Sequence, residues 1–254
     1  MVWFVIPVLD ERENLEALFA DLGPRAAALG ARVVLVDDGS TDGSADVARA
    51  AAGALPLRVV THEVNRGLGA AVASGLAACL EEAQDGDAIV TLEGDNTSDL
   101  DDLGAMLARF DAGADLVLAS FFAPGGHVHG VTPGRALASK GVSTLFRWLG
   151  GLREFHQVTP LFRVYRAGMV RRGTAVYGDG LIQEEGFAVN VELLVKLRYC
   201  GAAVAEVPTT MDWSRRRGVS KLPLRSTVAA YVRLLGALGS GRMRPRTSLE
   251  PEPR

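Results

Sequence analysis

Cysteine is scarce: two residues, Cys79 and Cys200, in a chain of 254. That excludes a disulfide framework, and both thiols read as small core side chains in a reducing cytoplasm. Long apolar runs are also missing. The run 2–9 is short, follows no basic segment and is interrupted by Pro7, so it meets the requirements of neither a signal peptide nor a spanning helix of about 20 residues. The later stretch 227–238 contains Arg233. There is no excess of positive charge, with 27 Lys+Arg against 30 Asp+Glu and a net charge of −3. Duplex nucleic acid is therefore not an expected partner. What remains is 48% hydrophobic residues with 29 Gly and 11 Pro, the composition of an ordinary globular protein. A cytoplasmic location, with contact to a membrane only at its surface, fits these features.

Short apolar strands alternate with helical stretches. Strands are predicted at Val2–Val8, 33–36, Leu57–Thr61, 88–92 and 115–120. Helices are predicted at 14–29, at 45–52, from the 65–69 turn to about 82, and at 99–110, with Ser98 able to cap the last of these. Such alternation implies βαβ units and a mostly parallel sheet covered on both faces, a doubly wound α/β fold. After residue 120 the pattern changes. A Gly-rich loop holding His127 and His129 precedes a predicted helix at 135–149. Then come a strand at 161–165, a helix at 186–199, a strand at 204–213 broken by Pro208, and a helical stretch ending at 238. One domain over 1–239 is expected, with halves 1–120 and 121–239, followed by a disordered tail at 240–254 that holds three prolines and has no apolar periodicity.

Ligands of an open parallel sheet bind beyond the carboxyl ends of its strands, and four such ends are polar here. Pro7-Val8-Leu9-Asp10-Glu11 offers carboxylates after a stiffened exit. Asp37-Asp38-Gly39-Ser40 offers two more, suited to ribose hydroxyls or the N–H groups of a base. The turn Asn65-Arg66-Gly67-Leu68-Gly69 brings backbone N–H groups to a helix start, where an anion can approach. Glu93-Gly94-Asp95 supplies the acidic pair that a hard divalent cation uses while keeping positions for phosphate and water. A triplet of this kind is common in solvated turns; its company at the other strand ends gives it weight.

Together these segments resemble, in order and spacing, the family-2 glycosyltransferases of GT-A fold. In the second half, Thr159-Pro160-Leu161-Phe162-Arg163-Val164-Tyr165-Arg166, the 186–194 segment and the loop Arg215-Arg216-Arg217-Gly218-Val219-Ser220-Lys221 resemble the polyprenyl-phosphate sugar transferases, which include the dolichol-phosphate mannosyltransferases. The resemblance spans about residues 2–238. It implies inverting transfer of a hexose from a nucleotide-diphosphate donor, of GDP-mannose or UDP-glucose type, to a polyprenyl phosphate or related acceptor, with Mg²⁺ or Mn²⁺ on the diphosphate. It also implies that Pro7, Glu11, Asp37, Asp38 and Gly67 hold the nucleotide sugar, and that Glu93 and Asp95 bind the metal. Arg215, Ser220 and Lys221 would close over phosphates, and Arg135 would meet an anionic acceptor. Asp95, Glu192 and Glu185 are the implied catalytic residues, Glu192 lying near the sugar.

Each assignment has a plainer rival. Glu13 suits the first turn of a helix, and the 215–221 cations suit a solvated loop, although Gly-x-Ser-Lys favours phosphate. His127 and His129 lack the partners of a zinc site. Glu192, on an otherwise apolar helix, is either an exposed residue or a sugar ligand, and Glu184 and Glu185 equally suit a helix start. The sequence also departs from the family pattern. Glu93 replaces the usual Asp, and Asn96-Thr97-Ser98 replaces Leu-x-His. Phe121 stands where the dolichol-phosphate enzymes tend to carry Arg, and Pro160-Leu161 stands in place of Ser-Gly. A phosphate acceptor needs no base, whereas a hydroxyl acceptor would use Glu184, Glu185 or Glu192. The alternatives are a transferase acting on a small soluble or natural-product acceptor and a non-catalytic nucleotide-sugar binding module.

Overall fold

Alternating side chains of the first strand, β1 (Val2–Val8), enter two different cores. Phe4, Ile6 and Val8 join one buried cluster, and Trp3 and Val5 the other, as the period of two requires. A computed structural model describes residues 1–131, 133–149, 151–218 and 224–245. In chain order β1 is followed by α1 (Arg12–Ala28), β2 (Arg32–Asp37), α2 (Ser44–Ala52), β3 (Leu57–Thr61), α3 (Leu68–Leu80), β4 (Ala88–Thr91), α4 (Leu103–Asp111) and β5 (Leu116–Ser120). Next come β6 (His127–His129), α5 (Pro133–Leu149), β7 (Arg163–Arg166), α6 (Ala167–Tyr177), α7 (Val189–Tyr199), β8 (Val204–Pro208), β9 (Thr210–Asp212) and α8 (Leu224–Gly239).

Seven strands form one sheet in the order β3-β2-β1-β4-β7-β5-β8, in which β7 alone runs antiparallel to its neighbours. One face packs on α1, α2 and α4 through residues such as Leu18, Leu22 and Met106. The other packs on α3, α6, α7 and α8 through Val72, Met169, Leu194 and Tyr231. β6 and β9 pair as a separate parallel ribbon. The mostly parallel, doubly wound sheet is as expected, and strands from the second half of the chain complete it.

Several local expectations are corrected. The helix α6 was not foreseen. The strand expected at 161–165 lies at Arg163–Arg166, and the helix expected from 186 begins at Val189. The strand expected over 204–213 divides into β8 and β9, which join different sheets; Pro208, lacking an N–H, ends the first. Ser98 does not cap α4. Asp99 caps a 3₁₀ turn, Leu100–Asp102, that leads into it. The tail does not start at 240: the chain turns at 241–244, buries Met243 and presents its carbonyl to the Tyr177 hydroxyl at 2.9 Å. The rest of the expected tail, 246–254, lies outside the described residues.

Candidate active site

Chain order reverses between β1 and β4, because β2 and β3 extend to one side of β1 and β4 lies on the other. Such a switch point opens a crevice beyond the strand ends, here between residues 9–11 and 92–95. Gly94 lets the two loops close, since a Cβ there would stand 2.7 Å from Val8 Cγ1 and 3.3 Å from the Pro7 carbonyl oxygen. Pro7 is thus a buried strand-end residue beside the acidic triplet.

The loop after β1 is stitched to the one after β2. The Asp10 N–H donates to Ser40 Oγ and the Glu11 N–H to Ser44 Oγ, each at 2.9 Å, while Asp10 Oδ1 accepts the Thr41 N–H at 2.7 Å. Asp10 holds φ 48° to make that turn. The Glu11 carboxylate then accepts Asn14 Nδ2 at 2.6 Å and Arg216 at 3.2 Å. Asp37 ends β2 and takes the Ser40 N–H on Oδ1 at 2.9 Å.

Asp38, expected at the nucleoside, is committed to the protein. It accepts the backbone N–H groups of Arg66 and Gly67 at 2.9 and 2.8 Å, and its Oδ1 lies 2.6 Å from His62 Nδ1. His62 Nε2 in turn lies 2.9 Å from Ser74 Oγ. The tautomer that satisfies both carries its proton on Nδ1. Asp38 therefore pins the 65–67 turn to β2, and that turn's N–H groups are spent on Asp38 rather than offered to an anion. Sequence reasoning missed His62, whose position at the end of β3 was its only signal.

The acidic triplet divides its labour. Glu93 turns inward, where Oε1 accepts the Leu161 N–H at 3.1 Å and Oε2 the Ser98 hydroxyl at 2.7 Å. Burial, and secondarily the nearby Asp95 charge, raise its pKa. Glu93, expected at the metal, has a carboxylate that ties the 161 segment to β4. Asp95 faces the crevice. Its Oδ1 accepts Thr97 Oγ1 at 2.7 Å and its Oδ2 accepts Arg216 at 3.0 Å.

Arg216 spans the switch point, with one guanidinium nitrogen on Glu11 and another on Asp95. The expected phosphate ligand Arg215 instead pairs with Asp21 on α1 at 3.0 Å. The loop is seated by Asn14, 3% exposed, which accepts the Arg217 N–H at 2.7 Å and donates to the Arg217 carbonyl at 3.1 Å. Neither Asn14 nor Arg216 was singled out from sequence; a polar residue in the first turn of α1 was the available hint. Ser220 and Lys221 lie outside the described residues. Arg135 falls within α5, but its side chain lies outside the described part.

Glu192, expected near the sugar, is held inside the protein. Glu192 and Lys196, 3% and 4% exposed, form an ion pair one helical turn apart on α7. Glu192 Oε2 also accepts the N–H groups of Gln183 and Glu184, each at 2.9 Å, and Lys196 donates to the Gly180 carbonyl at 2.6 Å. The pair fastens the 180–185 loop, whose Glu185 carbonyl accepts the Gly69 N–H at 2.9 Å. Both turn glycines are needed for that approach: a Cβ on Gly67 would lie 2.5 Å from the Glu185 carbonyl oxygen, and one on Gly69 1.8 Å from that of Glu184. Glu184 pairs with Arg233 of α8 at 3.1 Å. Glu185 is left with an exposed carboxylate beside the 67–69 turn.

No group of three or more His, Cys, Asp or Glu able to hold a metal occurs among the described residues. The position between Glu11 and Asp95 nevertheless accommodates a cation, since a guanidinium sits there. Mg²⁺ is commonly held by one or two carboxylates with substrate phosphates and water completing its shell. The oxygen donors of Glu11 and Asp95 at this position fit that requirement.

The family model "Glycosyl transferase family 2" matches residues 3–173. The chain is a family-2 glycosyltransferase. Membership sets aside the reading as a mere binding module. This glycosyltransferase is 32% identical over 220 residues to the polyprenol monophosphomannose synthase of Mycolicibacterium smegmatis, covering 86% of this chain and 79% of that one. It is 30% identical over 231 residues to the dolichol-phosphate mannosyltransferase of Pyrococcus furiosus, covering 90% of this chain but 61% of the relative. In structure it resembles glucosyl-3-phosphoglycerate synthase from Mycobacterium tuberculosis, solved with Mn²⁺, UDP and phosphoglyceric acid, at a TM-score of 0.66 and 21% identity over 98% of this chain and 80% of that one. The fold is GT-A.

Proposed function

We propose that this glycosyltransferase moves a hexosyl group from a nucleotide-diphosphate sugar of GDP-mannose or UDP-glucose type to the phosphate of a polyprenyl phosphate, with inversion, at the cytoplasmic face of a membrane. The observation that carries the reading is the Glu11–Arg216–Asp95 bridge: two carboxylates of the switch-point crevice face each other across a position already filled by positive charge. The names of the relatives supply the acceptor class.

A phosphate oxygen of the acceptor attacks the anomeric carbon as the bond from that carbon to the nucleotide diphosphate breaks. That oxygen is already anionic near neutral pH, so no protein base is required. The burial of Glu192 in its ion pair with Lys196 accords with this. Bound Mg²⁺ or Mn²⁺ would neutralise charge on the departing diphosphate, and Asp95 would hold it. Pro7, Asp37 and the 9–11 loop would line the nucleoside end. Arg216, once released from Asp95, would stay within reach of the diphosphate. The chain contributes positioning and electrostatic preorganisation.

Thermal unfolding with GDP-, UDP- and dTDP-sugars, with and without Mn²⁺, tests the donor site. Binding to the native state at ~100-fold excess over the dissociation constant adds about 2.7 kcal/mol. The expected result is a metal-dependent shift with one nucleotide, lost in Asp95→Asn. No shift with any donor overturns the reading.

A further inference from the structure

Arg163 is a buried cation held by backbone alone. It lies on β7 between β4 and β5 and is 1% exposed. Among the described residues no carboxylate pairs with it, and its guanidinium is spent on main-chain carbonyls: Nε donates to Pro160 at 2.9 Å, Nη2 to Val158 at 2.6 Å and Nη1 to Asn190. Burying a charge without a counter-ion is costly, and packing alone would be served as well by an apolar side chain.

The carbonyls that Arg163 gathers set the direction of the N–H groups behind them. A trans peptide is planar, so each N–H points opposite to the carbonyl of the residue before it, and no described peptide bond is cis. The Leu161 N–H, opposite the Pro160 carbonyl, meets Glu93 of the acidic triplet at 3.1 Å. The Thr159 N–H, opposite the Val158 carbonyl, is likewise turned to the far side of the guanidinium. The remaining carbonyls of the segment are also taken from within, that of Thr159 by Asn190 Nδ2 at 2.9 Å and that of Leu161 by Thr91 Oγ1. The segment is thus fixed, yet the Thr159 N–H has no partner among the described residues. Thr159 is also the one residue of 158–161 that is not buried.

We propose that Arg163 is a positioning residue that presents the Thr159 N–H, beside the acidic triplet, as a hydrogen-bond donor to an oxygen of the bound substrate. A donor held in place before binding needs no reorganisation when the substrate arrives. A hexose hydroxyl and a phosphate oxygen share the required chemistry. The inference rests on the transferase reading given above.

Thr159→Pro, or an ester linkage at residue 159, removes the N–H, whereas Thr159→Val keeps it and removes the hydroxyl. Residue 159 precedes Pro160 and so favours the extended backbone, in which proline fits. Dissociation constants of GDP-mannose, UDP-glucose, GDP and UDP are measured with Mn²⁺ by calorimetry, and KM for a polyprenyl phosphate by transfer, at a temperature where each variant is folded. Loss of the N–H is expected to raise one of these constants about fivefold or more, and Thr159→Val to leave all within about twofold. A loss confined to the nucleotide sugars assigns a hexose hydroxyl. A loss shared with the nucleoside diphosphates assigns a donor phosphate oxygen, and one confined to the polyprenyl phosphate an acceptor phosphate oxygen. Arg163→Lys keeps the charge but not the guanidinium edge that holds two carbonyls side by side. It should reproduce the Thr159→Pro defect and add less than about twofold to it in the double variant. Unchanged constants without the N–H, an equal defect in Thr159→Val, or fully additive losses in the double variant overturn the proposal. Donor-binding losses of the expected kind in an enzyme that transfers nothing to polyprenyl phosphate would support it and count against the acceptor reading alone.

Discussion

Replacing Lys196 by Met tests whether Glu192 is a structural anchor. Both partners of the pair are at least 96% buried, so Lys196→Met strands a carboxylate among Leu193, Leu194 and Leu197 with only the Gln183 and Glu184 N–H groups to stabilise it. Breaking one side of a buried pair costs about 3–5 kcal/mol. For a chain of this size that lowers Tm by roughly 6–20 °C, at about 2–4 °C per kcal/mol. The double variant Glu192→Gln/Lys196→Met removes both charges and leaves the Gln carbonyl to accept the same two N–H groups. It should therefore recover most of the loss, to within about 1–2 kcal/mol of wild type. Denaturant unfolding of wild type, both single variants and the double variant measures the cycle. The double variant should also retain transfer activity at temperatures where it is folded. A Lys196→Met variant within 1 kcal/mol of wild type, or a double variant no more stable than that single one, would refute the anchor. A stable double variant with no activity would return Glu192 to the catalytic residues.

Other consequences follow from the crevice and the loops behind it. Arg216→Ala removes the cation between Glu11 and Asp95, so Mn²⁺ should bind the nucleotide-free protein several-fold more tightly by electron paramagnetic resonance titration, with a loss of about 1.5–3 kcal/mol in unfolding free energy from the lost charged hydrogen bonds. Unchanged Mn²⁺ affinity would show that Arg216 does not guard the position. Gly69→Ala should force the 180–185 loop away from the turn, destabilising by about 1–3 kcal/mol and lowering kcat/KM for the donor by roughly tenfold or more; steady-state kinetics at a temperature where the variant is folded decides this. Glu93→Asp shortens the side chain by one methylene and cannot reach both Leu161 and Ser98, so it should lose about 1–2 kcal/mol on denaturant unfolding and gain no activity.

The strands of the first half were legible because each is an apolar run that stops at a polar strand-end motif, whereas the order of the strands in the sheet was not. Val2–Val8 and the 33–36 run could pack only in a sheet covered on both faces. The helix α6 escaped because Gly168 and Gly173 interrupt its pattern. Gly173 is there for closeness, since a Cβ would meet Leu197 Cδ2 at 2.7 Å. The nine residues from Val189 to Leu197 are buried all round, so periodicity could not say which way Glu192 points. Its i+4 partner Lys196 was the missed signal. At the site, motif position located Glu11 and Asp95 but not their use. Neighbours distant in sequence decided that Asp38 and Glu93 are spent on backbone and hydroxyl donors, and that Arg216 rather than Arg215 enters the crevice.

The central claim is tested most directly by following a radiolabelled hexose from its nucleotide-diphosphate donor into a polyprenyl phosphate, with Mn²⁺ or Mg²⁺ present, for wild type and Asp95→Asn. The account predicts that wild type carries label into the lipid phosphate, that chelation of the metal stops transfer, and that Asp95→Asn lowers the rate by about 10²-fold or more while remaining folded. Label that stays on the nucleotide with every GDP- and UDP-hexose donor, or an Asp95→Asn variant that transfers at the wild-type rate, would contradict it.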